Sequence, residues 1–371
     1  MAGVSPSRNV APVLLSVALC SLFAGCPASL NTFVVSSISL AFNVGPSDGF
    51  ATAGDVVLES RLVFEAIEGR IGSHAPTIAA LPDGELLAAW YSYKGPGELD
   101  DSAIFMARRA PGGVDWSTPA LHLDRAEPEG NPVLYSEQDN VWLFSAVAPL
   151  GWSTARIEWQ HSVDRGLTWS APAALDGPLG SNVRYPPVRT TEGELLLPAY
   201  DDFFLRSFFF VSSDGFAWTL RSNVATEPPH GNIQPSTVRL TSGRLLAVMR
   251  NTGQEFLWVM ASDDSGRTWS SPMNSGFANP ASPTVLLKLH SGRLLLVFND
   301  SATLRRPLSA TLSDDDGQTW LPPRVVINGQ GDFAYPAAVQ TGDGLIHIVY
   351  SNNRANIGHV TLNEAWLAAA P

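Results

Sequence analysis

Short apolar stretches alternate with Gly-containing turns from about residue 60 to the end of the chain. The most regular are PDGELLAAW around Gly84, TEGELLLPAY around Gly193, TSGRLLAVMR around Gly243, HSGRLLLVFN around Gly292 and GDGLIHIVY around Gly344. The slot between the first two holds EQDNVWLF, where Asn140 replaces Gly and also tolerates positive φ. Each apolar run is short and bounded by turn residues, so each predicts a strand. A Pro stands upstream of every turn: Pro76, Pro132, Pro186, Pro235, Pro283 and Pro336.

A second pattern keeps the same register. Ser-x-Asp-x-Gly-x-Thr-Trp occurs as SVDRGLTW from Ser162, SDDSGRTW from Ser262 and SDDDGQTW from Ser313, with a shortened copy, SSDGFAW, from Ser212. A worn copy precedes Trp116. The repeat is therefore about fifty residues long, and six copies fit between about residues 60 and 365. Each copy supplies about four short strands, too few to bury both of their faces, so neighbouring copies must stack. Radial stacking that closes on itself predicts an all-β, six-bladed β-propeller. Trp-terminated boxes are fewer than Gly-turns, so a strand near Ser60–Ile67 is expected to complete the last blade. Within a box the Asp accepts from turn amides, the Gly takes the unusual φ and the Trp packs into the blade. Asp164, Asp214, Asp264 and Asp315 are thus read as architectural.

Composition agrees with this reading and narrows the function. Hydrophobic residues make up 45% and charged residues only 16%, with 31 Gly, 28 Pro and 11 Trp; that content supports a large core and excludes a disordered chain. A net charge of −12, with Lys94 and Lys288 as the only lysines, repels phosphate backbones, so nucleic acid is not an expected partner. Both cysteines, Cys20 and Cys26, precede the repeats, and the histidines show no metal-ligand spacing. No metal and no cofactor is expected.

Residues 1–26 read as a targeting segment: Arg8, the apolar run VAPVLLSVALCSLFAG, then Cys26. The segment LFAGC resembles a lipoprotein cleavage box in which Cys26 would be lipidated; plain secretion and an uncleaved anchor are the other readings. In each case the protein is expected to be exported. Residues 27–59 read as a tether, and 60–365 as the propeller.

The boxes resemble the Asp-box repeats of the sialidase (neuraminidase) superfamily across the whole body. The resemblance implies three arginines on a substrate carboxylate, a Tyr nucleophile with a Glu beside it, and an Asp acid/base. A neutral Tyr suits a sugar whose anomeric carbon carries a carboxylate, since a carboxylate nucleophile would be repelled. In the fourth repeat, GNIQPSTVRLTSGRLLAVMRN is similar to the stretch holding the Glu and an Arg, which places Gln234 at the Glu and Arg250 at the Arg. FNDSATLRRPL resembles the segment of another Arg, filled by Arg305 or Arg306, with the spacing favouring Arg305. AYPAAVQTGDGLIHIVY resembles the nucleophile segment and places Tyr335 as the nucleophile. His74, in Ser-His-Ala-Pro, stands where the family has its first Arg. GELDDSAIFMARR resembles the acid/base region, so Asp101 is the expected general acid, with Asp100 and Glu98 as neighbours that would raise its pKa. The chain also resembles a group of predicted bacterial neuraminidases, to whose pattern Asn131-Pro132, Asn279-Pro280, Arg354 and His359 belong, with Arg354 as a further substrate ligand.

The expected function is an exported exo-glycosidase acting on a terminal anionic sugar of a glycan or glycoconjugate, such as sialic acid. The loss of the Glu and of the first Arg motivates a second reading, a propeller that binds glycan without cleaving it. A third is a lyase acting on uronic acids on the same scaffold.

Overall fold

The computed structural model describes residues 43–44, 58–224, 230–253 and 255–369. The signal segment lies outside the described residues, as does the tether apart from Asn43–Val44 and its last two positions. Six sheets of four or five strands follow one another along the described residues, and a two-stranded pairing of Asn43–Val44 with Thr319–Trp320 is added to them. Blade 1, for instance, orders its strands as Gly72–Ala80, Leu86–Tyr93, Ala103–Arg109 and Ala120–Leu123, all antiparallel. The first strand of each blade lies innermost and meets the first strands of its neighbours around the axis. This is the six-bladed, all-β propeller that the repeats predict.

Closure comes from the chain's own start. Blade 6 takes three strands from Phe333–Gln340, Ile346–Asn352 and Asn356–Leu362, and its outer strand from Leu58–Leu62, paired Leu58 to Leu362 through Leu62 to Gly358. The expected closing strand exists and begins two residues earlier than the sequence suggests. The added strand completes blade 6 and ties the start of the propeller to its end.

The apolar residues pack between blades rather than within them. Ile104 and Met106 of blade 1 share a cluster with Leu134, Val141 and Leu143 of blade 2, and Leu196 and Phe209 of blade 3 share one with Leu245 and Met249 of blade 4. The boxes extend this stapling. Ser162 donates to Asp164 (2.7 Å), which accepts from the Thr168 amide (2.8 Å) and hydroxyl (2.6 Å), while the Trp169 indole donates to the Gly166 carbonyl (3.1 Å). The Thr168 hydroxyl and amide hold the Asp164 carboxyl far below the usual carboxylate range. These carboxylates are committed to turns, as the sequence reading has it.

The box glycines Gly166, Gly215 and Gly266 also touch the preceding blade, at Leu87, Trp142 and Leu196. Gly266 has φ +82, and a Cβ there would lie 2.7 Å from Leu196 of blade 3. Gly266→Ala therefore combines an unfavourable φ with a collision against the buried Leu196 side chain. A loss of about 1–3 kcal/mol in urea denaturation is expected, against a change within about 0.5 kcal/mol for the exposed Glu68→Ala.

One irregularity positions the site. In blades 1, 2, 4 and 6 the innermost strand slips register between His74 and Thr77, Gly130 and Val133, Ile233 and Ser236, and Ala334 and Ala337. A Pro sits in each slip, because it has no N–H to give the ladder. The residue before it is forced to positive φ: Ala75 (51°), Asn131 (44°), Gln234 (58°) and Tyr335 (57°). Strained non-glycine residues of this kind gather at functional sites.

Candidate active site at the mouth of the propeller

Three of those four strained residues, Asn131, Gln234 and Tyr335, line one cavity of about 210 Å³. The rest of its lining is Tyr91, Glu98, Trp152, Tyr200, Asp202, Arg250, Arg305 and Arg354, so all six blades contribute. Tyr91, Tyr200 and Arg250 share one register, seven residues after the turn glycines Gly84, Gly193 and Gly243. Bulge positions and strand ends thus converge on the axis.

Three guanidinium groups face the cavity. Arg354 forms an ion pair with Glu98, whose other oxygen accepts from the Tyr91 hydroxyl (3.0 Å). Arg250 and Arg305 have no carboxylate within ion-pair range among the described residues. Arg250 donates only to the Gln234 amide oxygen (3.4 Å), and Arg305 to the Ala281 carbonyl (3.4 Å) while its Cζ stands 5.6 Å from the Tyr335 ring. Two partly buried cations without a counter-charge form a preorganised anion site, since an unpaired buried charge is otherwise costly. Arg306 points elsewhere, donating to the Gly331 carbonyl (3.3 Å) outside the cavity lining. The sequence left Arg305 and Arg306 open, and the fold brings Arg305 alone to the cavity.

Asp101 is not brought into the cavity. It is half exposed at the hairpin, 2.5 Å from the Lys94 ammonium, and the hydrogen bond to Lys94 holds its carboxyl below the ordinary value. Glu98 of the same loop reaches the cavity in its place. The group with the properties expected of a general acid is Asp202, on the corresponding hairpin of blade 3. Burial pushes its carboxyl up to about 6, against the opposing pull of Arg250, with Asp201 adding to the rise. Its Oδ2 accepts from the Asn182 amide (3.0 Å). Sequence reasoning missed Asp202, although the end of TEGELLLPAY occupies the same register as Arg250 and points to the two residues after it.

His74 also departs from its expected part. It is wholly buried, outside the cavity lining, with its ring 4.1 Å from that of Tyr335. Neither ring nitrogen has a hydrogen-bond partner among the described residues. Burial, and then Arg354, Arg305, Arg184 and Arg250, drive its pKa well below the ordinary value. A neutral imidazole packs against the Tyr335 ring from outside the cavity lining. His359, expected in the same pattern, lies at the seam of blades 1 and 6, bonded to Trp116 (3.2 Å) and His347 (3.1 Å). Asn279 is buried outside the lining, accepting from the Ser282 amide (2.7 Å).

Arg184 went unnoticed in the sequence. The innermost strand of blade 3 breaks between Ser181–Val183 and Val188–Arg189, at Tyr185-Pro186-Pro187. There the buried Arg184 crosses the axis and donates to the carbonyls of Pro76 (2.9 Å), Tyr335 (2.7 Å) and Pro336 (3.3 Å). Its Cζ lies 5.3 Å from the Tyr335 ring. It pins the strained bulge that aims Tyr335 at the cavity.

Comparison with known proteins meets this geometry. The model of the BNR repeat-like domain matches residues 84–348. A sialidase of Micromonospora viridifaciens is 26% identical, with 91% of this chain aligned; the chain spans 60% of that protein's length. Among solved structures, the intramolecular trans-sialidase of Ruminococcus gnavus superposes with a TM-score of 0.71 at 15% identity, covering 83% of this chain and 98% of that one. A protein of unknown function from Dyadobacter fermentans superposes with a TM-score of 0.68 at 17% identity, covering 82% and 99%. Likenesses at such identities speak for the fold. The repeats, the six closed blades and the domain match together make this chain a member of the BNR repeat-like family and a propeller of the sialidase superfamily.

Proposed function

We propose that the protein is an exo-glycosidase of sialidase type that hydrolyses a terminal sugar bearing a carboxylate. The observation that carries this reading is one cavity holding the Tyr335 phenol, the unpaired guanidiniums of Arg250 and Arg305, and the proton-retaining carboxyl of Asp202. Arg250 and Arg305 take the sugar carboxylate and orient the anomeric carbon. The Tyr335 oxygen bonds to that carbon and releases its proton to water at the mouth. The bond to the leaving oxygen breaks, and Asp202 gives that oxygen its proton. Asp202, now a carboxylate, then takes a proton from the water that displaces Tyr335, and the departing Tyr335 phenolate recovers its proton from solvent at the mouth. Gln234 is a hydrogen-bonding spacer between Arg250 and the Tyr200 hydroxyl (3.3 Å), not a base. The N-terminal signal pattern supports export of this enzyme to where such glycans are displayed.

Release of the fluorophore from an aryl α-sialoside tests the reading. Arg250→Met is expected to lower kcat/KM by about 10- to 100-fold, the loss of a hydrogen-bonded charge contact. Wild-type protein inert on every anionic glycoside, yet binding glycan stoichiometrically in calorimetry, would favour the non-catalytic propeller instead. Gln234 at the position of a base is what keeps that second reading in view.

A further inference from the structure

The residue that closes the cavity on the blade 3 side begins an apolar hairpin tip. Asp202 is followed by Phe203, Phe204 and Leu205, and the two phenylalanines are 55% and 63% exposed. Their rings meet edge to face at 4.8 Å. The tip is held rigidly: the buried Asp201 accepts from the Phe204 amide and from Arg206 (2.9 Å), and the Arg206 guanidinium lies 4.9 Å from the Phe204 ring. These aromatic rings are presented to solvent by design of the hairpin, not by fraying.

Two neighbouring loops extend the same surface. The Asp202 amide donates to the Gly180 carbonyl (3.2 Å), and Ser153 donates to the Asp202 carbonyl (3.4 Å). A Cβ on Gly180 would meet both Ser153 and Phe203. Loops 148–155, 176–180 and 202–205 therefore abut. Their exposed large apolar side chains are Leu150 (87%), Leu179 (59%), Phe203, Phe204 and Leu205, with Asp176 and Ser153 as exposed polar neighbours. Trp152 of the first loop and Asp202 of the third both line the cavity, so the patch is continuous with the site.

We propose that this patch receives the leaving group, and that the substrate is a glycoside whose aglycone is an alkyl chain of lipid type rather than a further sugar. The inference rests on the exo-glycosidase reading, with Asp202 as the acid. The oxygen that Asp202 protonates is joined directly to the first atom of the aglycone, so the aglycone leaves the cavity across the tip that Asp202 begins. A sugar there would call for more hydrogen-bonding side chains than Ser153 and Asp176 supply, and Leu150, Leu179 and Leu205 present no flat face to a pyranose. Apolar patches continuous with a pocket mark ligand or interaction surface.

Calorimetry with dodecyl α-sialoside, kept below its micelle concentration, and methyl α-sialoside tests the proposal on the full chain. The dodecyl glycoside is expected to bind at least tenfold more tightly. The double variant Phe203→Ser/Phe204→Ser is expected to bring the two affinities within about twofold, with its circular dichroism and its affinity for methyl α-sialoside unchanged. Equal affinities in the wild type, absence of dodecyl glycoside binding, or a preference that survives the double substitution would overturn it. Binding is read whether or not the glycosidic bond is cleaved. Failure of the wild type to hydrolyse any sialoside counts against the exo-glycosidase reading alone.

Discussion

Tyr335→Phe is expected to lower kcat on an aryl α-sialoside at least about a thousandfold, equivalent to about 4 kcal/mol of transition-state stabilisation. Phe keeps the ring that packs on His74 and lies near Arg184 and Arg305, and it has the same backbone demands at φ 57°. Stability in urea should therefore stay within about 1 kcal/mol of wild type. The combination matters: a large kinetic loss with an intact fold places the missing oxygen in the chemistry. A Phe variant that keeps more than about a tenth of wild-type turnover would remove Tyr335 from the role of nucleophile.

The second large effect belongs to Asp202. Asp202→Asn is expected to lower kcat/KM for a substrate with an alkyl or sugar leaving group by about 10²- to 10⁴-fold, the range of a lost general acid. With a nitrophenolate leaving group, which departs without a proton, the loss should shrink to about tenfold or less. The pH dependence has a definite sign. Asp202 acts in its protonated form, and burial raises its pKa to about 6, so wild-type kcat/KM should fall as pH rises through about 6. That limb should vanish in the Asn variant.

Stability is linked to the same proton. A carboxyl raised in the folded state contributes stability that is fully present below its unfolded value and is lost as pH rises through about 6. Asp202→Asn should therefore raise Tm more at pH 8 than at pH 4. A leaving-group-independent loss, or a pH limb that survives the substitution, would move the acid role to another group such as Glu98.

The fold was legible because its signals are local and repeat. Each box closes on itself through hydrogen bonds spanning a few residues, as from Ser162 to Trp169, so its chemistry reads directly from composition and spacing. Tyr335, Gln234 and Arg250 were legible for a related reason: they sit at fixed offsets from the Pro and Gly of their repeats. Arg305 needed the fold, since its neighbour Arg306 carries the same charge and only the path of the chain separates them.

Asp101 and Asp202 show where such reading stops. Both lie on hairpins joining the second and third strands of a blade, where no repeat holds the register. Their difference is burial and partner: Asp101 finds Lys94 in solvent, whereas Asp202 is shielded beside Asn182 and its carboxyl is pushed up to about 6. His74 and Arg184 depend on contacts between distant blades, and a linear pattern carries no trace of those. A neutral His suits the start of blade 1, where Arg354, Arg305 and Arg184 crowd that corner with positive charge.

The central claim is that Tyr335 forms a covalent bond to the sugar, and trapping that bond tests it most directly. A sialosyl fluoride with a second fluorine beside the anomeric carbon reacts through its good leaving group, while the added fluorine slows release of the intermediate. Peptide mass spectrometry of the full chain treated with this reagent should find the glycosyl adduct on Tyr335, and no adduct in Tyr335→Phe. An adduct on Asp202 or Glu98, or steady turnover with no adduct at all, would contradict the account.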